Sequence, residues 1–588
     1  MNTIKTFISA NRQFLYLALF SILVSVFLNS GNFHHKLVKP DDSRGYYAFL
    51  PALLIYNDSD YLKVLEAEKN EFQGRDNQHY LYKSKEGKKY NKYFPGVSVM
   101  QAPFFITAIV IAKIVGSEVN GYSFIFMLLT YLGALFYSIL GLYFLYKTVN
   151  KYIGNKNIAV ISIFILFFGT HLFYNTLGKP TLSHNYSFFL FAFLFYAFQN
   201  YAESRSKKST ILIGVLLGLI FLVRPTNILI ALFLPFLLVK KEAIISFFKF
   251  YFKLKNYHLL LSLLSFLVVV SILFFLWKWQ TGEWLLWSYK GESLDLTKPY
   301  FFSTLFSYRI GIFVHAPILL ICFFSWWLIF KKQQLSSLIW MLYFIVIVYV
   351  ISSWWCWDYE SEFGHRALTE HLVIFVFPLT HLLNVKRFKY LTNSILLIGL
   401  LFLFMRFYQK ENNIFVHQKF TAFTYWKSFG DLKKLTQPKY YSLVHCKPAG
   451  DIKKSVKIKY ENHEINLDEG TEFTKPLIYH FDNKESQNRL FMTVNFDKKL
   501  LDNEGNWHDV LVVFDAKNET TGDRIYYASP IYNYFKEGSN DWHKTKIENE
   551  LYVQFQPMEK VHVYIWNKSH KRIGIKDFEV IFQERNSP

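Results

Sequence analysis

Two neighbouring carboxylates, Asp41 and Asp42, stand just ahead of Arg44 in the run Asp41-Asp42-Ser43-Arg44-Gly45-Tyr46-Tyr47. A carboxylate beside a hydroxyl can take its proton as a new bond forms, and a second carboxylate can orient it. The pair therefore suits a general base and its orienting partner. The competing reading is a solvated loop whose acids cap a short helix. The run follows the first apolar segment, Phe14 to Leu28, where a spanning helix would hand the chain to a membrane–water boundary, a place enriched in tyrosine.

Other charged residues fall near the ends of apolar runs. Lys179 and His184 lie in Gly178-Lys179-Pro180-Thr181-Leu182-Ser183-His184, and Arg224 and Asn227 in the break Arg224-Pro225-Thr226-Asn227. Arg309 follows Ser307-Tyr308, and the segment Trp354 to Arg366 carries Asp358, Glu360, Glu362 and Arg366. Ionisable groups in such places are costly unless paired or hydrated, so a functional site is their default reading. The cations Lys179, Arg224, Arg309 and Arg366 suit an anionic ligand, since guanidinium forks bind phosphate bidentately. Each could instead snorkel to headgroups or pair with an acid such as Asp358 or Glu362. His184 taken alone reads more readily as a core histidine, and the tryptophans of 354–357 as an interfacial belt. Asp358, Glu360 and Glu362 could hold a divalent cation, but their spacing is that of an ordinary acidic loop.

The elements that must position these groups are membrane spans. Of the 588 residues, 52% are hydrophobic and 20% aromatic, and only 19% are charged, below the roughly 25% of soluble domains. The net charge of +21 does not point to nucleic acid. Lysines and arginines gather in short loops, as at 203–208, 240–241, 331–332 and 386–389, the pattern of cytoplasmic loops facing anionic lipid. Cys322, Cys356 and Cys446 have no metal-site spacing.

Phe14–Leu28 reads as an uncleaved first helix, and Tyr47–Tyr56 as a short helix lying along the interface. Val97–Val115 is assigned to the outer face without crossing, because the basic loops 147–156 and 205–208 then fall inside. Spans follow at Tyr122–Tyr146, Ile158–Tyr174, Asn185–Tyr201 and Ile211–Val223, with Ile228–Val239 returning from the break at Arg224. Further spans are expected at His258–Trp277, Ile310–Phe330, Ser337–Ile351, Ala367–Leu383 and Leu391–Phe407. The fold class is thus a polytopic α-helical membrane protein with about 11 spans and juxtamembrane helices. Residues 1–409 form its membrane domain, with an outer loop at 31–95, and 410–445 a linker. Residues 446–588 read as an all-β, sandwich-like domain, with strands at Leu490–Phe496, Val510–Phe514, Leu551–Phe555, Val561–Trp566 and Ile573–Phe582. Trp507, Trp542 and Trp566 are assigned to its core in preference to sugar contact.

These features together resemble the GT-C superfamily of integral-membrane glycosyltransferases, in its protein mannosyltransferase-like and aminoarabinose-transferase-like branches. The resemblance rests on Asp42-Ser-Arg-Gly-Tyr-Tyr47, Lys92-Tyr-Phe-Pro-Gly96, Gly218-Leu-Ile-Phe-Leu-Val-Arg-Pro225, Phe306-Ser-Tyr-Arg-Ile-Gly-Ile-Phe313 and Phe363-Gly-His-Arg366, over about the first 400 residues. An acidic residue familiar from the third outer segment is replaced here by Ser183-His184. The resemblance implies inverting transfer of a hexose or pentose from a polyprenyl-phosphate carrier to a glycan, lipid or protein acceptor. It makes Asp42 the general base, with Asp41 tuning it. Arg44, Lys179, His184, Arg224, Arg309, Arg366 and Asp358 form the substrate-binding set. It requires no cofactor or metal, and it suits a bacterial inner membrane with the C-terminal domain in the periplasm. A flippase for lipid-linked glycan and an O-antigen-type polymerase or ligase are the alternatives. The first would call for internal repeats and a midplane site, and the second for a site in the loop 280–309.

Overall fold

The computed structural model describes residues 2–30, 42–71, 80–84, 86–251, 257–289, 292–359, 361, 363–412, 425–426, 429–430, 432, 452–468, 470–481, 489–501, 510–517, 524–530, 542–551, 559–567 and 572–585. The chain forms two units, residues 1–290 with 296–406, and residues 291–295 with 407–588.

The first unit opens with α1 (Asn2–Asn29), α2 (Asp42–Pro51), α3 (Leu62–Glu71) and a hairpin of β1 (Leu81–Lys83) and β2 (Lys89–Asn91). Then come α4 (Gly96–Ile114), α5 (Phe124–Ile153), α6 (Lys156–Phe168), α7 (Ser183–Ser204) and α8 (Lys207–Val223). A 3₁₀ run, Pro225–Leu238, leads to α9 (Lys241–Tyr251), α10 (Tyr257–Thr281), α11 (Phe301–Phe306), α12 (Ile312–His315), α13 (Leu320–Phe330) and α14 (Gln334–Ser352). Two 3₁₀ segments, Arg366–Leu368 and Glu370–Phe375, precede α15 (Val376–Asn384) and α16 (Lys389–Glu411).

The chain is a polytopic α-helical membrane protein with a C-terminal all-β sandwich. Among the described residues six helices are long and apolar enough to cross a membrane: Asn11–Asn29 of α1, α4, α5, α10, α14 and α16. The other expected spans differ for physical reasons. The run expected at Ile310–Phe330 is broken at Pro317, where α12 gives way to a 3₁₀ turn and α13. Helix α7 has 22 residues but carries Ser183, His184, Asn185 and Ser187, all buried against protein, so its hydropathy does not report a lipid-facing surface.

Local signals account for the sharpest connections. Gly154 takes a left-handed conformation (φ 73°) that ends α5, as only glycine does without strain. The Asn155 side chain then caps α6 by accepting from the amides of Asn157 and Ile158. Helix α8 stops because proline at 225 clashes with further helix and forces the preceding residue into extended backbone, where Arg224 sits (φ −155°, ψ 115°). Gly214 and Gly218 on α8 let Ser262 and Val269 of α10 approach its backbone, the use small residues have in membrane bundles.

One expectation on the outer loop changes. The segment expected as an interfacial helix is α2 followed by a π-turn, Ala52–Tyr56, and residues 43–52 are buried in protein rather than laid on lipid. Helix α4 has the length and composition of a span. Its first residue abuts the last turn of α8, and it runs beside the first half of α5, with Phe104 on Gly133 and Tyr137 donating to the carbonyl of Met100 at 2.8 Å.

In the second unit, β3 (Ile452–Lys459), β4 (Glu464–Leu467), β5 (Leu477–His480), β6 (Arg489–Leu500), β7 (Val510–Lys517), β8 (Arg524–Pro530), β9 (His543–Leu551), β10 (Lys560–Asn567) and β11 (Ile573–Arg585) form two antiparallel sheets. One has the order β5-β10-β7-β8, the other β3-β11-β6-β9 with β4 also paired to β11. Alternating residues fill the space between them, among them Met492, Val494, Val512, Phe514, Val563, Ile565, Val580 and Phe582. Of the strand expected at Leu551–Phe555, Leu551 is the last residue of β9, and 552–555 lie outside the described residues. Trp566 is not core. Its neighbours Val563 and Ile565 point inward, while Trp566 lies on the outer face, stacked on Phe473 at 5.6 Å. Trp542 packs its ring beneath the Lys576 ammonium, 4.7 Å from the ring centre. Trp507 lies outside the described residues.

Candidate active site

The break after α8 and the 3₁₀ segment after Arg366 bring two acid–arginine pairs together. Asp42 is the first residue of α2, where the helix N-terminus favours a negative charge. Its Oδ2 lies 3.0 Å from an Arg366 guanidinium nitrogen, and its Oδ1 accepts a 2.6 Å hydrogen bond from the Tyr93 hydroxyl. Burial, and then the charge of Asp42, push the Tyr93 pKa well above its ordinary value, so Tyr93 remains a donor. The carboxylate is 27% exposed and Arg366 22%, which leaves both within reach of a ligand.

Glu370 forms the second pair. It is fully buried, with Oε1 3.5 Å from Arg224 and Oε2 2.8 Å from His184 Nδ1. Asn227 donates to its Oε1 at 2.8 Å. Tyr46 bonds Ser183, the neighbour of His184, at 3.4 Å, and the Arg224 guanidinium lies 5.7 Å from the centre of the Tyr359 ring. Carboxylate, guanidinium, imidazole and phenol groups from α2, α7, α8 and the 366–375 segment thus meet in one place. The set can hold an anion and take or give a proton.

Several expected members lie elsewhere. Arg44 is a correction. It is fully buried, 3.9 Å from Glu68, which also accepts from Tyr80 and Tyr122 at 3.2 and 3.0 Å. In a helix, two residues of spacing turn a side chain to the opposite face from Asp42. Arg309 and Asp358 pair with each other. Lys179 lies over the Tyr174 ring at 5.8 Å, and Tyr174 meets Phe363 edge-on. Asp41, Glu360 and Glu362 lie outside the described residues. No group of three or more metal-ligating side chains occurs among the described residues.

Glu370 and Tyr93 were missed by sequence reasoning. Glu370-His371 is an ionisable pair inside an apolar run, and that is the signal for a functional group at membrane depth. Tyr93 carried no such mark. Lys92 beside it sets its ammonium over the rings of Tyr82, Tyr93 and Tyr289 at 5.3, 5.3 and 5.9 Å.

No family model matches this sequence, and no curated protein matches it. Among solved structures, the cryo-EM structure of arabinosyltransferase EmbB from Mycobacterium smegmatis is similar at a TM-score of 0.32 and 9% identity, over 93% of this chain and 64% of that one. The chain therefore spans under two thirds of the length of that protein, and a likeness of this size assigns no role to any residue.

Proposed function

We propose that the protein is a membrane glycosyltransferase that moves a sugar from a polyprenyl-phosphate carrier to an acceptor hydroxyl or amine, with inversion. The observation that carries this reading is the accessible Asp42 carboxylate, held by Arg366 and Tyr93 within a group that also contains Arg224 and His184. A hydroxyl is a poor nucleophile at neutral pH, so a fixed carboxylate must accept its proton as the glycosidic bond forms. Asp42 takes that role, and Arg366 keeps it ionised and aimed. The leaving phosphate gathers negative charge, which Arg224 and Arg366 stabilise from preorganised positions. A single displacement from the side opposite the phosphate inverts the anomeric centre without a covalent intermediate.

The same reading sets Asp42 on the outer side of a bacterial inner membrane, with α4 remaining on that side and the β-sandwich in the periplasm. Glycan, lipid and protein are the acceptor classes. The test is transfer of labelled sugar from cell lipid to envelope glycan, in cells that lack the chain and are complemented with wild type or Asp42→Asn. The variant should lose about 10²–10⁴-fold in rate while inserting normally. Near-wild-type transfer would remove Asp42 as the base.

A further inference from the structure

The polar groups behind Arg224 form one hydrogen-bonded chain. Asn227 Nδ2 donates to Glu370 Oε1 at 2.8 Å and to Ser187 Oγ at 2.9 Å, which uses both of its N–H bonds. Its carbonyl oxygen then faces His371 Nε2 at 3.2 Å, so that nitrogen carries hydrogen. His371 Nδ1 is left as an acceptor, and the Tyr343 hydroxyl donates to it at 2.6 Å. On the far side of Glu370, His184 Nδ1 lies 2.8 Å from Oε2 and 3.4 Å from an Arg224 guanidinium nitrogen; the shorter contact, to the carboxylate, makes that nitrogen the donor. This leaves His184 Nε2 with its lone pair and, among the described residues, no hydrogen bond. The side chain keeps 5% of its surface accessible.

The charges close in the same way. Asp42 is matched to Arg366, and Glu370 to Arg224. A phosphate entering beside Arg224 adds negative charge next to these two pairs. His184 is the group there that can gain a proton and still satisfy both nitrogens, with Glu370 on one side and phosphate on the other. The charged and titratable groups that face it are Glu370 and His371, Arg366, Arg224 at the end of α8, His171, and Tyr46 through Ser183.

We propose that His184 gives a proton from Nε2 to the departing lipid phosphate, and that Glu370 is the positioning residue that fixes its tautomer and holds its charged form. This rests on the transfer reading given above. As the acceptor oxygen bonds to the anomeric carbon, the bond from that carbon to the phosphate oxygen breaks with its electron pair. Asp42 takes the acceptor's proton, and His184 supplies one to the phosphate. No proton is gained or lost overall.

The test uses the full chain in detergent and farnesyl monophosphate as the product-like probe. Calorimetry at pH 7.5, in buffers of differing ionisation enthalpy, counts protons taken up on binding. Wild type should take up on the order of one proton per site, and its affinity should fall about tenfold per pH unit above pH 7. His184→Gln should bind with uptake near zero, and Glu370→Gln should take up less than about half as much as wild type. Equal uptake in wild type and His184→Gln, or a wild-type affinity flat with pH, overturns the proposal. Full uptake in Glu370→Gln overturns the role of Glu370. Wild type that fails to bind the probe at all sinks the transfer reading itself, whereas binding without proton uptake sinks this inference alone.

Discussion

Among the described residues Asp42, Glu370, Glu68 and Asp358 each pair with an arginine, and how deeply each pair is buried sets what a substitution does. Glu68 and Arg44 are both fully enclosed, so Glu68→Ala takes a carboxylate from a buried guanidinium. Breaking such a pair costs about 3–5 kcal/mol, and thermal unfolding of the solubilised protein should fall sharply. Replacing both partners, as Arg44→Met with Glu68→Leu, should restore most of it. Asp42→Asn, at an exposed pair, should leave the melting temperature nearly unchanged while transfer is lost. Gly45→Ala provides a third contrast, since its methyl group would strike the Tyr93 ring and the Cβ of Tyr80. Displacing Tyr93 takes the donor from Asp42, so this variant should lose both activity and some stability. Asp42, His184, Arg224 and Arg366, which the structure groups, stood out in the sequence because charge at a span's end is conspicuous. Arg44 was misassigned because linear spacing hides helical rotation. Glu370 escaped because an apolar run looked like a plain span.

At the scale of elements, the Arg224-Pro225 step was legible and decides where Arg224 points. Pro225→Ala should let α8 continue by a turn and rotate Arg224 away from Glu370. Binding of farnesyl monophosphate should weaken by at least about tenfold, the effect of losing a charge-assisted contact of roughly 1.5–3 kcal/mol, with the protein still monodisperse. The course of α4 was argued from basic loops rather than from its own residues, which have the makings of a span. Its contacts give a sharper test. Tyr47 and Tyr56, ahead of α4, donate to the carbonyls of Gly121 and Asn120, behind it, at 2.5 and 2.9 Å. Cysteines placed at Glu86 and Glu118 should therefore react with the same impermeant reagent from the same side of the membrane. Labelling from opposite sides would mean that α4 crosses. The 3₁₀ geometry of 225–238 and 366–375 left no trace in the sequence, because periodicity alone does not separate it from α-helix in short apolar stretches.

At the scale of the whole molecule, a helical membrane unit and a β-sandwich follow from two hydrophobic periods in one chain, which is why both were legible. Strand alternation located β6, β7, β10 and β11, but it did not say which tryptophans faced inward. The sandwich also holds a charge where alternation calls for an apolar residue: Lys498 continues the inward row of Met492, Val494 and Phe496. Burial pushes its pKa down from 10.5 to about 7. Between about pH 7 and the ordinary lysine range the unfolded chain then binds more protons than the folded one, so stability rises with pH across that window. Lys498→Met should stabilise the sandwich at pH 7 and flatten that rise. Amide exchange in β6 and β11 of the intact protein, corrected for intrinsic rates, reads it directly. The 3₁₀ run after Arg224 has a further consequence. At about 2.0 Å of advance per residue, the 14 residues of Pro225–Leu238 extend about 28 Å. That nearly equals the roughly 30 Å hydrocarbon depth, which an α-helix of the same length would miss by about a third. A tighter, longer winding gives a segment too brief for an ordinary span nearly the reach of one, starting from the arginine that meets Glu370.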